Sequence, residues 1–126
     1  MTAGLASATA NSILNVFRNT AYAAIAAVYA QLHVGDPGAA GTANLSAVTT
    51  RNQVTWAAPS GGSMVLSALA SYTMTVSETI THVSLWTAAT AGTFLQSGAL
   101  TAGVPVVNGS VLSFSSFTLA FQPIAA

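Results

Sequence analysis

Short segments in which apolar and polar residues alternate recur along this chain, with turn-forming residues between them. A period of two is typical of a β-strand with one buried face, because successive side chains of a strand point to opposite faces of the sheet. The pattern predicts strands at residues 28–34, 52–56, 64–69, 72–76, 80–87, 94–100, 104–107, 111–114 and 117–121. A series of short strands separated by turns predicts an all-β fold, with an antiparallel β-sandwich or jelly-roll-like arrangement.

Two segments allow predictions that go beyond the existence of a strand. The alternation at residues 80–87 predicts that Val83 and Leu85 point into the core. It places four side chains on the opposite face: Ile80, His82, Ser84 and Trp86. The pair Asn108–Gly109 is a strong signal for a tight β-hairpin, so the segments on either side of it are predicted to pair with each other.

The residues before the first predicted strand have a helical pattern instead. Apolar residues recur at helical spacing within residues 9–18, at Ile13, Leu14, Val16 and Phe17. Asn11 or Thr9 can cap the start of this helix, and Arg18 is favourable at its C-terminal end, where the helix dipole is negative. The apolar side of the helix has to pack on the domain's own sheet or on a neighbouring subunit.

The length of the chain, 126 residues, is appropriate for one domain. No shift in composition marks a second domain. We therefore predict an N-terminal arm with a short helix at residues 1–20 and a β-sandwich domain at residues 21–126.

Charged side chains are almost absent, at 3% of residues against roughly 25% in an ordinary soluble domain. They are Arg18, Asp36, Arg51 and Glu78, and they sum to zero. Two arginines cannot form the basic patch that phosphate binding requires, so we expect no direct contact with nucleic acid. Because dispersed charge normally keeps soluble proteins apart, we expect this chain to self-associate within an assembly.

The sequence also lacks the residues that several other kinds of site and segment require. Without cysteine the chain has no disulfide, no thiol nucleophile and no thiolate metal site. The first residues carry no basic group ahead of their apolar stretch, unlike a secretory signal. The longest apolar run, at residues 21–32, is too short for a hydrocarbon core of about 30 Å. We therefore expect no membrane insertion.

The two histidines each lie close in sequence to a carboxylate. His33 precedes Asp36 by three positions and Glu78 precedes His82 by four, so a metal site could form if the strands faced each other. On strands, however, these separations do not bring both members of a pair to one point, and Asp36 before Pro37 is explained as a turn former. We expect no metal and no cofactor. Without a nucleophile elbow or a phosphate loop, we also expect no catalytic residue and no enzyme activity.

The arginines and the aromatic residues leave alternatives open. Each arginine, Arg18 or Arg51, is expected to pair with Asp36 or Glu78, or with a carboxylate of a partner protein. Five aromatic side chains are expected in the core or at a subunit interface, with a sugar-stacking surface as the alternative. They are Tyr22, Tyr29, Trp56, Tyr72 and Trp86.

Four segments in collinear order carry a resemblance to a known family. They are LNVFRNTAY at residues 14–22, VYAQLHVGDPG at 28–38, RNQVTW at 51–56 and ITHVSLWTAATAGTFLQSGAL at 80–100. Over nearly its whole length the chain resembles the small β-rich virion structural proteins of tailed bacteriophages. Members are variously described as decoration or minor capsid proteins, minor tail proteins or tail-fibre proteins. The resemblance implies a non-enzymatic part of the virion.

The resemblance and the composition together favour a decoration or minor capsid protein on the capsid exterior. Such a protein would bind and stabilise the major-capsid shell as an oligomer, most simply a homotrimer. The residues expected to contact a partner are Leu14, Phe17 and Arg18 of the helix, and Arg51. One alternative is a tail-fibre or minor tail protein that contributes to host attachment, and a second is a carbohydrate-binding adhesin domain.

Overall fold

The computed structural model describes residues 4–114 and the backbone of residues 118–120. Within these residues one helix, α1 (Ser7–Val16), precedes the strands. The strands are β1 (Val28–His33), β2 (Asn52–Trp56), β3 (Ser63–Leu69), β4 (Tyr72–Thr73), β5 (Glu78–Trp86), β6 (Phe94–Val106), β7 (Val111–Leu112) and β8 (Thr118–Ala120).

The strands form two antiparallel sheets of unequal size. Six strands form the large sheet in the order β6-β5-β1-β2-β3-β8, and β4 pairs with β7 in the small sheet. The positions of β1, β2 and β3 agree closely with the alternation in the sequence. The predicted all-β fold with a short N-terminal helix is confirmed.

The hydrophobic core lies between the two sheets. Tyr72 of β4, Met74 and Leu112 of β7 cluster with Ala30 and Leu32 of β1. The hydroxyl of Tyr72 donates a hydrogen bond of 2.5 Å to the carbonyl oxygen of Ala30. Burial raises the pKa of Tyr72 to about 12, so this hydroxyl stays protonated and remains a donor across the ordinary pH range.

An irregularity in the pairing of β5 with β6 breaks the alternation of β5. Ile80 pairs with Val104, whereas His82 pairs with Ala99, so Thr81 alone stands opposite four residues of β6. The extra residues lie in β6, and the pairing of β5 is interrupted at Thr81, so regular alternation of faces is not maintained across this point.

This irregularity decides the outcome of the prediction for β5. Val83 and Leu85 belong to the core cluster, which confirms that they point inward. The prediction that Ile80 lies on the opposite face is wrong, because Ile80 belongs to the same core cluster. The odd spacing between Ile80 and Val83 is possible because the bulge lies between them.

The second face of the large sheet is covered by a loop at residues 35–47, so the centre of β1 is buried on both faces. The loop is attached to the strand by hydrogen bonds, including one from the backbone N–H of Val34 to the carbonyl oxygen of Asn44 (2.8 Å). Asp36 accepts a hydrogen bond from the backbone N–H of Gly38 (2.8 Å), which confirms its role as a turn former.

The start of α1 differs from the prediction. The helix begins at Ser7, and the residue before it, Ala6, makes no side-chain capping bond. Neither Asn11 nor Thr9 caps the helix, because both lie inside it. The backbone N–H of Ala6 instead bonds to the carbonyl oxygen of Leu95 (2.9 Å), so a contact with β6 fixes this helix end.

The turn at Asn108–Gly109 forms, but it does not join a hairpin. The N–H of Ser110 bonds to the carbonyl oxygen of Val107 (3.0 Å). Before the turn, residues 104–106 belong to β6 and pair with β5, whereas β7 pairs with β4. The predicted pairing across the turn is therefore wrong, because the turn carries the chain from the large sheet to the small one.

Two other strand predictions differ at the ends. The segment predicted at residues 72–76 forms only the two-residue strand β4. In the last predicted strand, residues 118–120 form β8 and pair with β3, while residues 117 and 121 lie outside the described residues. The division between an arm at residues 1–20 and a sandwich at residues 21–126 stays a prediction.

Candidate contact surface

The C-terminal end of α1 exposes large apolar side chains. Phe17, the residue after the helix, is 85% exposed, and Leu14 is 61% exposed. Tyr22 and Ile25 follow in a segment without regular structure and are also partly exposed. We call these residues, together with Val16, the apolar patch. Large apolar side chains exposed to this extent are typical of a surface that contacts another molecule.

The chain turns sharply between the helix and the rest of the patch. Asn19 has a positive φ of 62°, a left-handed conformation that asparagine adopts more readily than most residues. The N–H of Thr20 bonds to the carbonyl oxygen of Asn15 (3.0 Å). This bond and the left-handed residue end the helix.

A cavity of about 180 Å³ lies beneath the helix. Its lining is almost entirely apolar and comes from α1, the segment after it and the large sheet. Lining residues include Leu5, Ile13, Ile25, Trp56, Met64 and Leu95. We call it the apolar cavity. Thr9 also lines it, and its hydroxyl oxygen is buried without a hydrogen-bond partner in the structure.

Arg51 lies on the second face of the large sheet. Its guanidinium is 4.0 Å from the ring centroid of Trp86. Nε donates to the side-chain oxygen of Gln31 (3.1 Å), and Nη1 donates to the carbonyl oxygens of Ala88 (3.1 Å) and Ala91 (2.6 Å). Burial lowers the pKa of Arg51. The side chain thus connects β1 to the turn that follows β5.

We expect Arg51→Lys to lower the free energy of unfolding by about 1–2 kcal/mol. Lysine keeps the charge, but it cannot reproduce the planar stacking on Trp86 together with donation to separate acceptors. The measurement is urea unfolding followed by circular dichroism. Arg18→Lys is the matched control and should change stability by less than about 0.5 kcal/mol, since Arg18 is exposed. Equal effects of the two substitutions would contradict a structural role for Arg51.

The predicted ion pairs are not present among the residues that the structure describes. Arg18 donates to the side-chain oxygen of Asn15 (3.1 Å), and Arg51 donates to neutral acceptors. Glu78 accepts a hydrogen bond from the hydroxyl of Ser46. The prediction of pairs within the chain is wrong because neutral groups already satisfy these side chains.

His33 is the centre of a buried hydrogen-bond chain and has no exposed surface. Its Nδ1 lies 2.8 Å from the carbonyl oxygen of Ala43, which can only accept, so Nδ1 carries the proton. Nε2 therefore accepts from the hydroxyl of Ser84 (2.7 Å), whose oxygen in turn accepts from Nε1 of Trp86 (2.8 Å). Each nitrogen of the imidazole therefore has a hydrogen-bond partner when His33 is neutral.

This arrangement predicts loss of stability in mild acid. Burial lowers the pKa of His33, with a smaller contribution from the nearby His82. The unfolded chain then binds a proton near pH 6.5 that the folded chain does not bind. We therefore expect the free energy of unfolding to fall as the pH drops below about 6.5, with a slope of up to about 1.4 kcal/mol per pH unit.

Urea unfolding between pH 8 and pH 5 measures this effect. His33→Gln should be less stable at pH 8 but should flatten the slope. His82→Gln should keep most of the slope, because burial is the largest cause of the shift in the pKa of His33. The same slope in His33→Gln as in the unchanged protein would contradict this assignment.

The residues considered for a metal site are held in other contacts. β1 and β5 place His33 opposite His82. His82 contacts the hydroxyl of Thr81 through Nδ1 (2.8 Å), and Glu78 is held by Ser46. Within residues 4–114 and 118–120, no group of three or more histidine, aspartate or glutamate side chains is placed to hold a metal ion.

The aromatic residues divide between the core and the surface. Tyr72 is in the core, and Trp86 is only 7% exposed, with Arg51 over its ring and Phe94 at 5.4 Å between ring centroids. Tyr29 is half-buried, whereas Tyr22 belongs to the apolar patch. Trp86 therefore presents no open ring face to a sugar.

The structure brings together only some of the residues predicted to contact a partner. Leu14, Phe17 and Arg18 lie at one end of α1 and are exposed. Arg51 lies on the second face of the sheet and is held within the chain, so its role in docking stays a prediction. For Tyr22, expected in the core or at a subunit interface, the structure shows partial exposure. Ile25 was not predicted as part of this surface, although the unbroken run of apolar residues at 21–27 could have indicated it.

Comparison with known protein families gives a match that covers almost all of the residues described above. A protein-family model described as Podophage GP4 fiber I protein gp80 matches residues 4–122, which include the helix, the cavity and both sheets. No curated protein matches the chain. Among the described residues no helix has the length and apolar character to span a bilayer.

Proposed function

Because this chain belongs to the family of the podophage GP4 fiber I protein gp80, we propose that it is a structural subunit of a bacteriophage tail fibre. The subunit self-associates, most simply as a homotrimer, and acts mechanically without catalysis. The observation that carries this proposal is the family match over residues 4–122, because it includes nearly the whole chain and the described family is one of fibre proteins.

The surface of the protein supports an assembled state. The apolar patch exposes Phe17 and Leu14 to solvent, and Arg18 is the only charged residue between residues 4 and 35. Burial of apolar surface stabilises an interface by about 25 cal/mol per Å² before the cost of association is subtracted. A chain with this surface and so little charge is expected to be covered by other subunits in the particle.

The sequence favours a capsid-decoration role, with a tail-fibre role as the alternative. The family description names a fibre, which supports the alternative more strongly. An adhesin that stacks sugars on Trp86 has less support, because that ring is buried. Attachment to the host would be a property of the assembled fibre.

Quantitative mass spectrometry of separated heads and tails of purified particles tests the proposal. We expect the chain in the tail fraction, in a small number of copies per particle. The major capsid protein and a known tail-tube protein serve as internal standards for the two fractions. Hundreds of copies in the head fraction would overturn the tail-fibre proposal and support the decoration role.

A further inference from the structure

The turn at residues 107–110 contains the pair of residues most prone to spontaneous chemical change in this chain. An asparagine followed by glycine forms a cyclic imide readily, because glycine has no side chain to hinder the approach of its backbone nitrogen to the asparagine side chain. Asn108–Gly109 is the single pair of this kind in the sequence. Both residues are exposed, so water reaches them.

The fold holds the backbone nitrogen that this reaction uses. The N–H of Gly109 donates to the carbonyl oxygen of Met74 (2.8 Å), and the N–H of Met74 donates to the carbonyl oxygen of Ser110 (2.8 Å). Gly109 and Ser110 therefore stand opposite one residue, which continues the pairing of β4 with β7 as a β-bulge. Gly109 has a φ of +88°, the left-handed conformation that glycine adopts at the first position of such a bulge.

This hydrogen bond joins the turn to the core. Met74 is 1% exposed and belongs to the cluster between the two sheets. The nitrogen of Gly109 has to lose its proton before it can act as a nucleophile, and that proton is directed at the oxygen of Met74. The bond also fixes the peptide group of Gly109, whereas the reaction requires its nitrogen to move into bonding distance of Cγ of Asn108. The turn therefore has to separate from the chain after β4 before the reaction can occur.

We propose that Asn108 is a site of spontaneous deamidation, and that the reaction proceeds only when the turn separates from Met74. Water accepts the proton of the Gly109 N–H, and the nitrogen attacks Cγ of Asn108. The bond from Cγ to Nδ2 breaks, and the departing amide nitrogen recovers a proton from water and leaves as ammonia. A second water then adds to one of the two carbonyl carbons of the cyclic imide, and ring opening gives aspartate or isoaspartate at position 108.

Either product changes the electrostatics of the turn. The charges of the unmodified chain sum to zero, and the charged residue nearest in sequence is Glu78. Both products add one negative charge. Isoaspartate also adds a methylene group to the backbone, so the N–H of Gly109 would no longer meet the oxygen of Met74 in the same register. A subunit of an assembled particle is not resynthesised, so the change would accumulate with the age of the particle.

Timed incubation of the full chain at pH 8, once folded and once unfolded in concentrated guanidinium chloride, tests the proposal. Samples are digested with pepsin in acid, where the imide forms slowly, and mass spectrometry measures conversion at every asparagine. In the unfolded chain we expect Asn108 to convert faster than the other asparagines, with more isoaspartate than aspartate. In the folded protein its conversion should be at least about tenfold slower.

A matched pair of substitutions distinguishes local opening of the turn from global unfolding. Leu112→Ala shortens a core side chain of β7, and Leu95→Ala makes the same change at the far end of β6 from the turn. Urea unfolding of each variant gives the share of conversion that global unfolding explains, and this share is subtracted. The remaining rate at Asn108 should be at least about threefold higher in Leu112→Ala than in Leu95→Ala. Asn108→Gln, whose longer side chain closes the ring far more slowly, should abolish the early gain of negative charge.

Three results would overturn the proposal. Equal rates at Asn108 in the folded and unfolded chains would show that the bond to Met74 gives no protection. Equal corrected rates in Leu112→Ala and Leu95→Ala would show that conversion follows global unfolding. Conversion at Asn108 no faster than at the other asparagines of the unfolded chain would remove the site itself. The fibre role is tested separately by the location of the chain in the particle.

Discussion

Replacing Tyr72 by alanine lowers the free energy of unfolding by about 3–5 kcal/mol. Tyr72 is 2% exposed and belongs to the small sheet, and its ring packs edge-on against Phe114 at 6.4 Å between centroids. Its removal leaves a cavity at the place where the two sheets meet. Since small domains are stable by only about 5–15 kcal/mol, the variant should unfold at a much lower urea concentration.

The matched control separates the ring from its hydroxyl. Tyr72→Phe keeps the ring and removes the donor to the carbonyl oxygen of Ala30, so we expect a loss of about 1–2 kcal/mol. Both variants are compared by urea unfolding at pH 8, where the imidazole of His33 is neutral. If Tyr72→Ala were no more destabilising than Tyr72→Phe, ring packing would not be what joins the two sheets.

Gly41→Ala is expected to cost about 2–4 kcal/mol. Gly41 has a φ of +73°, which is unfavourable for a residue with a Cβ atom. A Cβ atom built there lies 2.5 Å from Cδ1 of Phe94, so the ring would have to move. The loop at residues 35–47 would then fit less closely over the second face of the sheet.

Gly61→Ala serves as the control for Gly41→Ala. Gly61 has a φ of +61°, but no heavy atom lies within 4 Å of the built Cβ. We expect a loss of about 1 kcal/mol from the backbone conformation alone. The difference between the two variants in urea unfolding measures the contact with Phe94. Equal losses would show that the left-handed conformation accounts for the whole effect.

Most strand positions could be predicted because alternation is a local property of the sequence. β2 begins and ends at the predicted residues, 52 and 56. Strand pairing was harder to predict, because the partner of a strand depends on contacts between segments that are distant in the sequence. Asn108–Gly109 makes the expected turn, yet residues 104–106 have β5 as a partner and β7 has β4. The burial of Ile80 depends on a bulge that no local pattern indicates.

The candidate surface was predictable in part for a similar reason. The helical spacing of Leu14 and Phe17 predicted that they pack on the domain's own sheet or on a neighbouring subunit, and both are exposed in the single chain. The cavity could not be predicted, since it forms only where α1, residues 22–28 and the large sheet meet. The contacts of Arg51 depend on the fold of the turn after β5, which sequence spacing does not give.

The bulge opposite Thr81 also affects how the large sheet meets other sheets. β6 is an outermost strand, and uncharged outermost strands tend to pair edge to edge and aggregate. Many proteins prevent this with lysine or other charges at the edge, but no charged residue follows Glu78 in this chain. Here Leu5, which precedes α1, forms a β-bridge with Gln96 of β6. Further along β6, the bulge interrupts the pairing with β5. In this chain, the β-bridge and the bulge are therefore the features that limit edge-to-edge pairing of β6, as charged side chains do in other proteins.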